Sequence, residues 1–388
     1  MKKFISILGS TGSIGQSTLR LIDKKKNIFS IKLLCANKNY NLINKQIKKY
    51  NPKYFIITDK KTFEKIYKKF KKRKIIILNN FDSIKIKKEN HITVSAITGI
   101  SGLEPTLKMI ELSDKVLLAN KESVICGWNL IKKTLLKYKT KIIPIDSEHF
   151  STMKLLENHK YNEIEKIYIT ASGGPFLNLK KKKFKNIDPK DAIKHPKWKM
   201  GKKISIDSAT LMNKILELIE AQKLFGLPLN KFDIIIHPES LVHSIVLFKN
   251  GLTKLLYHET SMTIPIGNAL FEKNFRFDKF IDPKKREIKN LTFKKVNKSI
   301  FPTIKLKDRL QEFSSTPIII NSANEASVDL FLKKKIPFLM IYKIIMSILN
   351  DRNYKKYAIN TPNNIHQIKK IDSWVRNLIL KKYTSPNV

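Results

Sequence analysis

Cysteine is scarce in this chain of 388 residues, which has only Cys35 and Cys126, far apart in the sequence. So few cysteines argue against a disulfide framework, and we expect two free structural thiols in a reducing compartment. Long apolar runs are missing too: no segment approaches the ~20 apolar residues of a membrane-spanning helix. The apolar run at 4–8 is too short for the hydrophobic region of a signal peptide. We therefore expect a soluble, cytoplasmic protein with no membrane partner.

Acidic residues are also few, 32 against 76 lysines and arginines, so the formal net charge is +44. A charge of this size is typical of proteins that bind nucleic acid or acidic membranes. Here the excess is mostly lysine spread along the whole chain, without a basic stripe interleaved with aromatic residues, which is typical of coding drift in an AT-rich genome. We therefore expect no nucleic-acid partner. The alternative function, from a different class, is a protein that binds nucleic acid through this charge. Small phosphorylated substrates suit the charge, since it attracts anions.

A predicted strand, a glycine-rich turn and a predicted helix open the chain. The strand 4–8 runs into Gly-Ser-Thr-Gly-Ser-Ile-Gly at 9–15, and a helical pattern follows at 16–24. Such a turn lets the backbone approach the phosphates of a dinucleotide at a helix N-terminus, although the spacing meets the usual G-x-G-x-x-G pattern only in part. After the next predicted strand, 30–36, Lys38 suits the 2′-phosphate of NADPH, where NAD would favour an acid.

Periodicity divides the chain into four segments. Strands and helices alternate over 1–146, which predicts an α/β, Rossmann-like domain that binds NADPH. The mixed pattern of 147–271 predicts a central α+β domain, and because this domain holds most of the polar motifs described below, we expect it to be the catalytic and connective domain. The charged residues 272–300, which have no clear period, are predicted to be a linker. Apolar residues at helical spacing over 301–388 predict a C-terminal helical bundle domain.

Two carboxylates, Asp146 and Glu148, directly follow the predicted buried strand 141–145. Both can turn towards one cation where the strand leaves the sheet. Their oxygens suit Mg²⁺ or Mn²⁺, and the absence of nearby cysteine argues against a closed zinc site. The alternative is a solvated loop whose acids only cap the next helix.

A second polar group lies on the predicted helix 211–225, which Ser208 is expected to cap. Asn213, Lys214 and Glu217 share one face of this helix. Together they could bind a phosphorylated, metal-chelating substrate. The alternative is a solvated Lys–Glu pair.

Two loops of the central region could contact a ligand. Ser172, in Ala-Ser-Gly-Gly-Pro-Phe at 171–176, could present its hydroxyl and neighbouring N–H groups to an anion, or the loop could be an ordinary turn. His195, Trp198 and Gly201 combine a titratable group, a large aromatic ring and a hinge glycine. That combination favours a lid that closes over a ligand, and a packed turn is the alternative.

These motifs occur together, in this order, in one family. The chain closely resembles the 1-deoxy-D-xylulose 5-phosphate reductoisomerase family through the blocks at 8–15, 117–123, 144–149, 170–176, 195–201 and 207–217. Weaker matches, such as Asn-Ser-Ala-Asn-Glu at 321–325, extend the resemblance to essentially the whole chain. The resemblance implies that 1-deoxy-D-xylulose 5-phosphate is isomerised to a branched aldehyde. NADPH then reduces this aldehyde to 2-C-methyl-D-erythritol 4-phosphate, in the non-mevalonate isoprenoid pathway.

The resemblance also implies which side chains act, and it implies a homodimer. It assigns a divalent cation (Mg²⁺, Mn²⁺ or Co²⁺) to Asp146, Glu148 and Glu217, and catalysis to these three with Lys121 and His195. The residues assigned to the substrate are Lys121, Ser147, Glu148, Ser172, His195, Trp198, Met200, Ser208, Asn213, Lys214 and Glu217. The residues assigned to NADPH are Thr11, Gly12, Ser13, Ile14, Asn37, Lys38, Asn39, Asn120, Glu122 and Gly201.

Three residues depart from the family pattern. Asn37 and Ile215 each replace a usual glycine, and Lys199 adds a charge to the lid. Asn37 could alter the turn below the adenosine ribose, and Ile215 could crowd its helix. None of the three changes removes a chemical group, so we expect retained activity rather than a decayed enzyme kept as a binding protein.

Overall fold

The structure is a computed structural model that describes residues 2–198, 200–272, 275–276 and 288–383. Lys199, much of the predicted linker and the last five residues lie outside the described residues. Contacts divide the chain into two compact units, the first formed by 1–123, 129–146 and 262–285, and the second by 124–128, 147–261 and 286–388. Among the described helices, none is long and apolar enough to cross a membrane.

The first unit is built on a seven-stranded parallel sheet with the strand order β4-β3-β2-β1-β5-β6-β7. The strands are β1 (Lys3–Leu8), β2 (Phe29–Ala36), β3 (Tyr54–Ile57), β4 (Ile76–Leu78), β5 (His91–Ser95), β6 (Lys115–Leu118) and β7 (Lys141–Pro144). The helices that alternate with them are α1 (Ser13–Asp23), α2 (Tyr40–Tyr50), α3 (Lys60–Phe70), α4 (Leu103–Glu111) and α5 (Lys121–Tyr138).

The central strands of this sheet are buried on both faces. Every residue of β3 and β5 is buried, as expected for a parallel sheet covered by helices on both sides. Neighbouring residues of β2 alternate between two cores: Leu34 packs with Ile5 and Ile7 on one face, and Leu33 packs with Leu8 on the other. This burial explains why the strands are continuous runs of apolar residues in the sequence.

The glycine turn lies where the strand order reverses, between β1 and β5. Such a switch point is the usual ligand site of an open α/β sheet. Gly9 has a φ of 81°, and a Cβ added there would lie 2.5 Å from the carbonyl oxygen of Ala96, in the segment after β5. A Cβ at Gly15 would overlap the carbonyl oxygen of Gly9. The glycines therefore hold the turn against the N-terminus of α1, with its N–H groups at the carboxyl edge of the sheet.

The second unit contains a four-stranded sheet with the order β11-β10-β8-β9. Its strands are β8 (Ile164–Ala171), β9 (Phe232–Ile236), β10 (Val242–Phe248) and β11 (Thr253–Tyr257). The helices from α6 onwards are α6 (Ser147–Leu156), α7 (Pro189–Ala192), α8 (Lys202–Ala209), α9 (Met212–Phe225), α10 (Thr263–Phe271), α11 (Thr316–Leu332), α12 (Met340–Leu349), α13 (Tyr354–Ala358) and α14 (Ile365–Tyr383). Of these, α10 belongs to the first unit and packs on α1.

The expectation that Ser208 caps the helix of Glu217 was wrong. Ser208 lies within α8, and α9 begins only after Leu211, a non-glycine residue with a left-handed φ of 63°. The two helices are separated by a tight turn without glycine or proline, which carries no sequence signal for a break.

Residues 288–300 of the predicted linker belong to the second unit and form backbone contacts within it. Lys294 forms an isolated antiparallel bridge with Ile236, and His237 donates from Nδ1 to the carbonyl oxygen of Thr292 at 2.9 Å. A single bridge has no periodicity, so the sequence pattern could not reveal it. The boundaries of the four sequence segments otherwise stay a prediction.

Candidate active site

Three carboxylates on separate elements offer oxygen atoms that all lie within 4.8 Å of one another. Asp146 follows β7, Glu148 is in the first turn of α6, and Glu217 lies on α9. The structure therefore brings together the three residues that the resemblance assigns to a divalent cation.

Two lysines neutralise most of this negative charge. The Lys214 ammonium group donates to Glu148 and, at 2.7 Å, to Glu217, while Lys121 Nζ lies 3.1 Å from Asp146 Oδ2. Asn213 donates its amide to the second oxygen of Glu217. Three carboxylates against two ammonium groups leave a net negative charge among hard oxygen donors, so the residues present fit a divalent cation such as Mg²⁺.

A buried pair behind the carboxylates has no counterpart in the sequence analysis. His149 Nε2 donates to the backbone carbonyl oxygen of Glu217 at 3.0 Å, and His149 Nδ1 lies 3.2 Å from Glu220 Oε2. Both side chains are fully buried. The sequence feature that could have indicated this pair is Glu220 itself, an acid directly after the apolar residues Leu218 and Ile219 of α9.

The imidazole of His195 orients the hydroxyl group of Ser172. His195 Nδ1 accepts hydrogen bonds from the backbone N–H groups of Lys197 and Trp198, at 3.1 and 2.9 Å. The proton of the neutral ring therefore lies on Nε2, which donates to Ser172 Oγ at 2.9 Å. Burial, with a smaller contribution from the Lys214 ammonium group, lowers the pKa of His195 to about 4, so the ring is neutral near pH 7.

The Ser172 oxygen accepts two hydrogen bonds, one from His195 and one from the Gly174 N–H at 3.1 Å. Its own proton is therefore available to a third group. A hydroxyl group held in this way is a preorganised donor for an anion.

The Ser172 loop lies directly on the end of α8 that carries Ser208. Gly174 has a φ of 64°, and a Cβ added there would lie 2.8 Å from the Ser208 carbonyl oxygen and 3.1 Å from Ala209 Cα. The two serines that the resemblance assigns to the substrate are thus on segments in close backbone contact.

The predicted lid is packed in this structure. Trp198 contacts the ring of His243 edge-on, with centroids 5.9 Å apart, and His243 stacks on His258 at 3.7 Å. Met200 is partly buried and Gly201 is the N-cap of α8, while Lys199 lies outside the described residues.

Most residues assigned to NADPH follow strands of the first unit at one edge of its sheet. Thr11, Gly12, Ser13 and Ile14 follow β1, the exposed Asn37, Lys38 and Asn39 follow β2, and Asn120 and Glu122 follow β6. Asn120 caps α5 by accepting from the Ser123 N–H at 2.6 Å. Ser147, assigned to the substrate, donates to Glu148 at the start of α6.

Two departures from the family pattern are accommodated. Asn37 donates to Thr58 Oγ1 at 2.8 Å, and it is not among the described residues with a left-handed φ, so the turn needs no glycine there. Ile215 is fully buried in the core side of α9, and the adjacent Lys214 still makes both of its carboxylate contacts.

Comparisons with known proteins show the family of this chain. Models of 1-deoxy-D-xylulose 5-phosphate reductoisomerase match residues 5–127, and models of its C-terminal domains match 142–225 and 258–378. A curated 1-deoxy-D-xylulose 5-phosphate reductoisomerase of Pelagibacter ubique (strain HTCC1062) is 50% identical, over 97% of this chain and 98% of its own length. The chain belongs to the 1-deoxy-D-xylulose 5-phosphate reductoisomerase family.

Solved structures of the family share the fold. A DOX-P reductoisomerase in complex with NADPH, fosmidomycin and magnesium aligns with a TM-score of 0.89 at 31% identity, covering 98% of this chain and 99% of that chain. The Zymomonas mobilis reductoisomerase in complex with NADPH aligns with a TM-score of 0.84 at 30% identity, covering 99% and 100%. The predicted fold class, a parallel-sheet N-terminal domain with a central domain and a C-terminal helical domain, is confirmed.

The close approach of Gly174 to α8 predicts a destabilising substitution. Gly174→Ala should lower the free energy of unfolding by roughly 2 kcal/mol or more, because the new Cβ meets backbone atoms at a left-handed φ. Gly201→Ala is the matched control, since a Cβ there meets nothing within 4 Å. Urea unfolding midpoints measure both variants, and equal midpoints would contradict the packing described for Gly174.

Proposed function

We propose that this chain converts 1-deoxy-D-xylulose 5-phosphate to 2-C-methyl-D-erythritol 4-phosphate, by rearrangement of the carbon skeleton followed by NADPH reduction. The proposal includes a divalent cation, with Mg²⁺, Mn²⁺ or Co²⁺ as candidates. Family membership supports the reaction. The observation that carries it is the cluster of Asp146, Glu148 and Glu217 within 4.8 Å, which fits the cation by charge and donor chemistry.

The residues named by the resemblance have tasks that follow from their contacts. A bound divalent cation would act as a Lewis acid on the substrate carbonyl group. Lys214 keeps Glu148 and Glu217 together through its two hydrogen bonds. The Ser172 hydroxyl group donates a hydrogen bond to the substrate phosphate, and the neutral His195 fixes the orientation of that hydroxyl group. Ser208, Asn213 and Lys214 complete the binding surface for the anion, and the reduction takes a hydride from NADPH and a proton.

The test of the function is NADPH absorbance loss on addition of 1-deoxy-D-xylulose 5-phosphate with Mg²⁺, before and after a chelator. We expect chelator-sensitive turnover. Glu217→Gln should lower kcat/KM by more than ~100-fold, because even the outer partners of metal ligands are worth 10–100-fold. Glu165→Gln, at an exposed carboxylate of β8, is the matched control and should retain turnover.

Two outcomes would contradict this assignment. No turnover by the folded wild-type protein with cation and NADPH present would exclude the reaction. Full turnover by Glu217→Gln would exclude Glu217 from cation binding while leaving the reaction in place.

For the cofactor, we propose that Lys38 binds the 2′-phosphate of NADPH. Its support is an exposed position after β2, beside the glycine turn at the switch point of the sheet. Lys38→Ala should raise the Kd for NADPH about tenfold, the effect of one hydrogen bond to a charged group, and leave the Kd for NADH within about twofold. Cofactor fluorescence measures both constants, with Lys45→Ala on α2 as an exposed control. An equal loss for the two cofactors would contradict the role.

We also propose the homodimer that the resemblance implies, with a cytoplasmic location. Support for self-association comes from β11, which lies at an edge of its sheet and leaves Leu255 44% exposed, with Leu252 59% exposed beside it. Exposed apolar edge strands favour pairing with another chain. Light scattering should give twice the 45.1 kDa of one chain. Leu255→Asp should shift the protein towards monomer, whereas Leu136→Asp on α5 should not, and a monomeric wild-type protein would exclude the dimer.

A further inference from the structure

A buried carboxylate lies at the C-terminal turn of α8, outside the site described above. Asp207 is 1% exposed; its Oδ2 lies 3.0 Å from Lys203 Nζ, and its Oδ1 accepts a hydrogen bond from Asn324 Nδ2 at 2.7 Å. A buried carboxylate without partners is strongly destabilising, and a helix C-terminus is an unfavourable place for negative charge. Asp207 therefore keeps its buried position because Lys203 and Asn324 both contact its carboxylate.

The two partners have different consequences. Lys203 is one turn earlier on α8 itself, so its ion pair stabilises that helix locally. Asn324 lies on α11, in the C-terminal helical region, and is fully buried. Its hydrogen bond joins α11 to the end of α8.

The end of α8 supports the residues proposed to bind the substrate phosphate. Ser208 directly follows Asp207, and the loop of Ser172 rests on the Ser208 carbonyl oxygen through Gly174. Immediately beyond, the left-handed Leu211 turns the chain into α9, which carries the other proposed phosphate ligands. A displacement at Asp207 would therefore reach both serines.

A second contact from the C-terminal part of the chain fixes the same turn. Thr303 donates its hydroxyl proton to the carbonyl oxygen of Thr210, and both residues are buried. Among the described residues, the hydrogen bonds of Asn324 and Thr303 both hold the turn between α8 and α9. That of Asn324 acts through the side chain of Asp207, the residue next to Ser208.

We propose that Asn324 is a positioning residue for the reaction: its amide holds Asp207 and so sets the place of Ser208 and the Ser172 loop for the substrate phosphate. The inference rests on the proposed function. Asn324 acts through Asp207 and contacts neither substrate nor cofactor. Its removal should weaken binding of the phosphorylated substrate and leave cofactor binding and the chemical step largely intact.

The first experiment compares Asn324→Ala with Asn321→Ala in the full-length protein with Mg²⁺ and NADPH. Asn321 is on the same helix and also fully buried, but it hydrogen-bonds Glu325 at 3.2 Å and not Asp207. Asn324→Ala should raise KM for 1-deoxy-D-xylulose 5-phosphate about tenfold, with kcat and the KM for NADPH within about threefold. Asn321→Ala should leave the substrate KM within about twofold.

An isosteric exchange tests the hydrogen bond itself. Asn324→Asp sets two carboxylates against each other and should raise the substrate KM at least as much as Asn324→Ala. Because Asn324→Asp conserves the volume of the side chain, it gives a result even if Asn324→Ala folds poorly.

The possible outcomes distinguish a failure of the positioning role of Asn324 from a failure of the proposed function. Absence of turnover in the wild-type protein overturns the proposed function. Wild-type turnover with equal KM changes for Asn324→Ala and Asn321→Ala, or a wild-type substrate KM in Asn324→Asp, overturns the positioning role and leaves the function standing.

Discussion

The double hydrogen bond of Lys214 is the contact on which the candidate site depends. Three carboxylates with oxygens within 4.8 Å of one another repel by several kcal/mol unless positive charge lies between them. Lys214 supplies that charge from α9 and reaches Glu148 on α6 as well as Glu217 on its own helix. The same ammonium group also helps to keep His195 neutral. The Lys214 ammonium group therefore joins two helices and adds to the effect of burial that keeps a neighbouring ring neutral.

Local patterns predicted much of the fold because they depend on short stretches of chain. The strands β1, β2 and β7 were found to within a few residues, since a parallel sheet covered by helices requires continuous apolar runs. The carboxylate pair after β7 could be predicted for the same reason, because the end of a predicted strand places the next side chains at the edge of the sheet. The face of α9 that carries Asn213, Lys214 and Glu217 followed from helical spacing alone.

What the sequence concealed was contact between distant segments. The break before α9 depends on the left-handed φ of Leu211, and a leucine gives no indication in the sequence of such a conformation. The pairing of His149 with Glu220, and of Asp207 with Asn324, joins residues 71 and 117 positions apart. The net charge of +44 was a poor guide to function, because Lys121 and Lys214 of the candidate site are buried beside acids and contribute little to the charge of the surface.

The hydrogen bonds of Ser172 have a consequence for which protonation state of a phosphate monoester is recognised. With both acceptor positions of its oxygen in use, Ser172 can only donate, and the neutral His195 beside it has its one ring proton already placed on Ser172. A monoester loses its second proton near a pKa of about 6 and then presents acceptors only. Below that pKa its hydroxyl group would need an acceptor, which this serine cannot offer. Ser172 therefore interacts with the acceptor oxygens of the phosphate, and the P–OH group of the monoanion finds no acceptor on this serine.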